Sequence, residues 1–183
     1  MRRVPAARPV RQGSGVVAEH LVVMGVSGTG KSTLGAALAA HLGRPFLEGD
    51  AFHPPANVAK MAAGVALTDD DRLPWLDALA AAMSRHAAAG RSTVVACSAL
   101  RRAYRDRLRA ARGRVRFVHV TVTPDELARR MSTRPGHFMP PSLLASQLAT
   151  LEPLAPDEDG LTLASRGDPE RDAADVLRLL AAG

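Results

Sequence analysis

The stretch GVSGTGKS, residues 25 to 32, constrains this chain more than any other feature, because it matches G-x-x-x-x-G-K-[ST] and lies between the apolar run HLVVM (20 to 24) and the alanine-rich TLGAALAAHL. A loop of this kind needs a strand before it and a helix after it. Its glycines let backbone N–H groups turn inward around phosphate oxygens, and the following helix adds the positive end of its dipole. Gly25, Val26, Ser27, Gly28, Thr29, Gly30, Lys31, Ser32 and Thr33 are therefore the candidate nucleotide-binding residues. Lys31 would bridge the β- and γ-phosphates as a catalytic cation, and Ser32 would place its hydroxyl on Mg²⁺. The chain contains no N-K-x-D guanine-reading motif, which leaves ATP as the leading donor.

The rest of the chain repeats this strand-then-helix grammar. HLVVM, RPFLE (44 to 48), STVVAC (92 to 97), VRFVHVTV (115 to 122) and GLTLA (160 to 164) are strand candidates. Between and after them, STLGAALAAHL, PWLDALAAAMSRHAAAG, RRAYRDRLRAARG, TPDELARRM, PPSLLASQLATLE and PERDAADVLRLL carry helical patterns, with Thr123 as an N-cap and Pro124 at the first helical position. This alternation predicts an α/β fold with one five-stranded, mostly parallel sheet in a single domain over residues 19 to 183.

Composition narrows the classes. No apolar run approaches the ~18 residues that a membrane span requires, so no membrane partner is expected. The single cysteine, Cys97, lies in an apolar run and reads as a core thiol, which together with the lack of disulfides suggests a cytoplasmic setting. The net charge of +6 raises nucleic acid, but Arg2, Arg3, Arg8 and Arg11 carry four of those charges in a Pro- and Gly-containing tail, leaving about +2 for the remainder. With one Tyr, one Trp and four Phe there is no base-stacking platform, so no nucleic-acid partner is expected. Residues 1 to 18 lack hydrophobic periodicity and read as a disordered basic tail.

A second dense polar region is LEGDAFHPPANVAKMAAGVALTDDDRLPWL, residues 47 to 76. Acidic groups at the carboxyl end of a parallel strand face the crevice where α/β folds bind ligands. Asp50 can accept a proton there from a substrate hydroxyl attacking the γ-phosphate, whereas Thr68, Asp69 and Asp70 have the composition of a helix cap. Ser98, in CSAL, ends another predicted strand and can face the same crevice.

GVSGTGKST, the GD-x-x-HP-x-x-N-x-x-KM block, DDDR-x-PWL, CSAL and GHFMP, in this order over residues 20 to about 155, closely resemble the gluconokinase family of small P-loop sugar-acid kinases. The resemblance implies ATP-dependent phosphorylation of D-gluconate at its 6-hydroxyl, giving 6-phosphogluconate and ADP. It also implies a P-loop kinase fold like that of nucleoside monophosphate and shikimate kinases, often as a homodimer, with a mobile lid here at about residues 129 to 141. On this reading Asp50 orients or deprotonates the acceptor, and Glu48 holds Mg²⁺ through water. A polyhydroxy carboxylate needs cations at one end and hydrogen-bonding groups along its chain. His53, Lys60, Arg72, Arg102, His137 and Gln147 are the matching substrate candidates, with Arg72 gripping the carboxylate because a guanidinium does so bidentately.

Arg130 and Arg134 are four apart and share a helix face if the helix begun at Pro124 runs that far. Their spacing resembles that of lid arginines in nucleotide kinases, which places Arg130 against the nucleotide and Arg134 on the transferred phosphate as a catalytic charge. RPGHFMPP would close over the site and keep water out. The adenine contact near the C-terminal strand stays unassigned. Two rival readings share parts of this pattern, a shikimate-type or other small-polyol kinase and a nucleotide-responsive binding module. The HP-x-x-N-x-x-KM and GHFMP blocks disfavour the first, and the acceptor-side Asp50 disfavours the second.

Overall fold

The computed structural model describes residues 17–133 and 141–182. All but the last two residues of the expected basic tail lie outside that range, as do Arg134, His137 and most of the expected lid.

Five strands form one sheet in the order β2-β3-β1-β4-β5, all neighbours parallel. They are β1 (Glu19–Met24), β2 (Phe46–Glu48), β3 (Thr93–Ala96), β4 (Arg114–Thr121) and β5 (Gly160–Ala164). Each expected strand is present within two residues of its predicted bounds. The helices are α1 (Lys31–Leu42), α2 (Pro55–Ala62), α3 (Asp69–Ala88), α4 (Arg102–Arg109), α5 (Pro124–Thr133), α6 (Pro141–Thr150) and α7 (Pro169–Ala182), with a 3₁₀ turn at Gly49–Phe52.

Because side chains alternate faces along a strand, β1 serves two cores. Val22 and Met24 pack with Trp75, Leu79 and Met83 of α3, Tyr104 and Leu108 of α4, and Phe117. Leu21 and Val23 pack on the opposite face with Leu34 and Leu38 of α1 and Ala173 and Val176 of α7. Burial on both faces explains why HLVVM reads as a continuous apolar run rather than an alternating one. Cys97 is buried in the first core, and burial pushes its thiol up to about 12, which leaves it inert as a nucleophile.

Two elements differ from the sequence expectation. Helix α3 begins at Asp69, five residues before the expected start at Pro74. Thr68 closes a capping box: its hydroxyl accepts from Asp71 N–H at 3.2 Å and the Asp71 carboxylate accepts from Thr68 N–H at 2.9 Å. Pro74 is thus inside the helix, where it forgoes one backbone hydrogen bond. The polar region of residues 47 to 76, in which no helix was expected before Pro74, also contains α2, started by Pro55 at its first position.

Candidate active site

The carboxyl ends of all five strands open onto one cleft of about 870 Å³. Ser27 to Thr33 line it, at the end of β1. Gly25 and Val26 do not, although both were expected to bind nucleotide, because they build the loop from behind. Gly25 has φ 141° and a Cβ there would sit 2.6 Å from the Val120 carbonyl, while its N–H donates to Ser98 O at 3.3 Å. The Val26 side chain is buried with Leu100 and Leu127. Its carbonyl accepts from Thr29 Oγ1 and from Lys31 Nζ, both at 2.9 Å, which folds the loop back on itself. Gly30, at φ 95°, precedes α1 and offers no side chain to its first turn, so the N–H groups at that end remain for an anion.

Helix α5 lies over this loop. Arg130 Nη1 donates to Thr29 O at 3.0 Å, and its Nε pairs with Glu126 at 2.6 Å. Arg129 also pairs with Glu126, and the two arginines hold that carboxyl down to about 2. A Cβ on Gly167 would come within 3.0 Å of Arg130 Nη2, so this guanidinium spans from the phosphate loop to the turn after β5. That turn is one part of the site that sequence reasoning missed. Ser165, Arg166, Gly167 and Pro169 line the cleft, and buried Asp172 shapes the turn by accepting from Ser165 Oγ at 2.6 Å and from Arg166 N–H at 3.1 Å. The signal was SRGDP after a strand and before a helix, the same grammar as GVSGTGKS with a shorter loop.

The acceptor half is built where β2 ends. Gly49 packs so closely on β3 that a Cβ would lie 2.3 Å from Ala96 O, and this contact places the exposed Asp50 in the cleft. Glu48 lines it as well. The His53 ring stacks on Trp75 with centroids 4.0 Å apart, and Trp75 Nε1 donates to Gly49 O at 2.7 Å. Burial lowers the pKa of His53, Asp50 raises it and Arg72 lowers it further. Arg72, on the first turns of α3, is 9% exposed and has its guanidinium carbon 5.6 Å from the Tyr104 ring centroid. Among the described residues no carboxylate pairs with it. Ser98 lines the cleft, as expected, and Met61, Val65 and Leu67 supply an apolar wall that the sequence reading did not identify.

Three substrate candidates are placed differently from expectation. Lys60 stands outside the cleft lining, paired with Asp71 at 2.6 Å, because that carboxylate already faces it from the α3 cap. Arg102 also lies outside, on the surface, in a two-pronged pair with Asp157 at 2.9 and 2.7 Å. Gln147 does line the cleft, but its Oε1 accepts from the N–H of Ser27 at 2.7 Å, so it sits against the phosphate loop. His137 and Arg134 lie outside the described residues.

A parallel sheet in this order, carrying a glycine loop after its first strand and an acidic residue facing that loop from the second, defines a P-loop kinase. The AAA domain family matches residues 21–154. A gluconokinase from Gluconobacter oxydans is 48% identical over 164 residues, covering 90% of this chain and 92% of that protein. A crystal structure of an unliganded sugar kinase from Janibacter sp. is 51% identical with a TM-score of 0.85, covering 90% of this chain and 95% of that one. A gluconokinase structure from Sinorhizobium meliloti is 45% identical with a TM-score of 0.77, covering 91% and 95%. The chain belongs to the gluconokinase family. Among the described residues no helix is long and apolar enough to cross a membrane.

Proposed function

We propose that this protein transfers the γ-phosphoryl group of ATP to the 6-hydroxyl of D-gluconate, releasing ADP and 6-phosphogluconate. The observation that carries this reading is that one cleft contains both a phosphate cradle and a nearly buried arginine that no described carboxylate neutralises. A cation left unpaired at such burial is costly unless a ligand anion completes it. A sugar acid supplies that anion at one end and the reacting hydroxyl at the other.

In this reading the N–H groups of Gly28 to Thr33 and the Lys31 ammonium hold the phosphates, and Arg130 packs against the nucleotide. Asp50 accepts the proton of the 6-hydroxyl as its oxygen bonds to phosphorus and the bond to the ADP oxygen breaks. Arg72 grips the carboxylate and His53 binds along the chain, while Gln147 braces the phosphate loop through Ser27. Catalysis rests on positioning and charge, since the protein forms no covalent bond to the phosphoryl group. Arg134 and His137 complete this assignment from the segment outside the described residues.

The oxygen donors Ser32 and Glu48 line the same cleft as Lys31, which suits Mg²⁺, a hard cation that keeps waters and phosphate oxygens in its shell. When bound it would neutralise charge on the β- and γ-phosphates. No set of three or more His, Cys, Asp or Glu among the described residues could hold a metal unaided, in keeping with an ion that arrives with the nucleotide.

The test is ADP release from Mg²⁺-ATP with gluconate, shikimate, glycerate, glucose or no acceptor, with the product identified by mass. Turnover with gluconate alone and a 6-phosphogluconate product are expected. Equal ADP release without acceptor, or turnover only with another alcohol, would overturn the substrate assignment.

A further inference from the structure

Asn57 is 3% exposed, does not line the cleft, and was assigned no role from the sequence beyond its place in the polar region. Its Nδ2 donates twice, to the backbone O of Asp71 at 2.7 Å and to His53 Nδ1 at 3.3 Å. A ring nitrogen that accepts a hydrogen bond carries no proton, so a neutral His53 has its proton on Nε2. The ring is otherwise clamped by its stack on Trp75, and no described residue hydrogen-bonds Nε2. His53 lines the cleft beside Asp50 and Arg72.

We propose that Asn57 is a positioning residue that locks His53 in the Nε2–H tautomer, so that the imidazole presents a hydrogen-bond donor to an oxygen of the acceptor. The proposal rests on the sugar-acid reading only for the identity of that acceptor. It also accounts for the arrangement of the neighbouring groups. Asp50, from the 3₁₀ turn, can accept from the reacting hydroxyl but cannot donate to it, and Arg72, from α3, discourages a second cation at His53. The Lys60 ammonium of α2 is taken up by the Asp71 carboxylate, and the Cys97 thiol at the end of β3 stays neutral, so neither competes for the ring. A neutral donor therefore complements the anionic base without adding charge next to Arg72. If Asn57 were only a staple between α2 and α3, its bond to Asp71 O would suffice and the His53 tautomer would be free to change.

The first readout needs no activity. Correlation spectra of ¹⁵N-histidine-labelled full-length protein, with His53 assigned by its loss in His53→Gln, should show Nε2 protonated and Nδ1 unprotonated near pH 8. An Nδ1–H ring overturns the proposal outright. The second readout is Asn57→Asp, which puts a near-isosteric acceptor opposite Nδ1. It should protonate Nδ1, stabilise the imidazolium, and move the acid limb of kcat/KM for gluconate up by about one pH unit or more. At pH 8 it should raise KM for gluconate about tenfold while leaving KM for ATP unchanged. The pH dependence of the His53 ¹⁵N shifts in the same variant assigns the moved limb to the imidazole rather than to the added carboxylate. Asn57→Ala, which leaves both tautomers populated, should give a smaller KM increase without the acid-limb shift, and serves if Asn57→Asp does not fold. An unmoved gluconate KM in a folded variant, or equal damage to the KM values of both substrates, overturns the positioning role. Failure of the wild-type protein to turn over gluconate would sink the acceptor assignment and leave the tautomer measurement standing.

Discussion

Asp50 and Arg72 line the same cleft, and single substitutions separate the opposite tasks proposed for them. Asp50→Asn keeps the shape of the side chain but cannot take up a proton, so kcat should fall by about 10²- to 10⁴-fold. Mg²⁺-ATP affinity, measured by calorimetry, should stay within about twofold, because the nucleotide contacts lie on the loop after β1. A loss of ATP binding equal to the loss of kcat would contradict this division. Arg72→Lys keeps the charge but loses the planar fork that matches a carboxylate. KM for gluconate should rise about tenfold or more with a smaller change in kcat, as expected for a contact made equally in ground and transition states.

At the scale of elements, α3 both supports the sheet and shapes the acceptor pocket, since its first two turns contain Asp71, Arg72 and Trp75. Loss of the Thr68 cap in Thr68→Ala should cost about 1 kcal/mol. In a chain of this size that is a fall of roughly 2–4 °C in Tm, measured by calorimetry. Because Asp71 O anchors Asn57, KM for gluconate should rise more than KM for ATP. The join between β2 and the 3₁₀ turn is tighter still. In Gly49→Ala the new methyl group meets the Ala96 carbonyl at 2.3 Å, so backbone must move. The expected cost is about 1–3 kcal/mol, accompanied by loss of activity as Asp50 is displaced. An active Gly49→Ala protein of unchanged Tm would show that the contact is loose.

For the whole molecule, buried ionisable groups set the response to pH. His20 is fully buried on β1, with Nδ1 2.7 Å from Thr93 Oγ1 and Nε2 3.0 Å from Arg112 O. His119 is buried on β4 with its Nδ1 unpartnered among the described residues. Burial lowers the pKa of both, with the Arg105 charge adding to the effect at His119. The unfolded chain therefore binds protons that the folded one resists, and stability should decline as pH falls below about 6.5. Glu158 extends the decline. Burial opposes its charge, but bonds from Arg105, the Ala155 N–H and Arg109 outweigh it and hold the carboxyl down to about 2. Its contribution is complete above the usual glutamate range near 4.3 and is lost as pH falls toward 2. Tm measured from pH 8 to 3 should show both phases. His119→Leu, which removes an unsatisfied buried polar atom, should flatten the first phase and leave Tm at pH 7 unchanged or higher.

The periodic and glycine-dependent features were legible in the sequence. HLVVM read as a strand, GVSGTGKS as a glycine-dependent turn around phosphate, and Asp50 as an acidic residue at the end of the next strand. These follow from local geometry, in which the pattern of a few residues determines the backbone they can adopt. The partners of individual charges were not legible. In RRAYRDRLR five of nine residues are arginine, and the one expected to bind substrate, Arg102, pairs with Asp157 at the surface. Arg105 instead turns inward beside Tyr104 and Leu108, fully buried, onto Glu158, and its Nη1 also donates to the carbonyls of Ala99 and Leu100 in the CSAL turn at 3.3 Å. Likewise Gln147 reaches Ser27 and Arg130 reaches Thr29 across more than a hundred residues. The sequence by itself determined the order of strands and helices and the loop that binds phosphate, because those depend on backbone conformation. Only the tertiary structure decided that Arg72 meets no carboxylate among the described residues while Arg102 and Arg105 do, because that depends on which carboxylates the packed helices bring near each arginine.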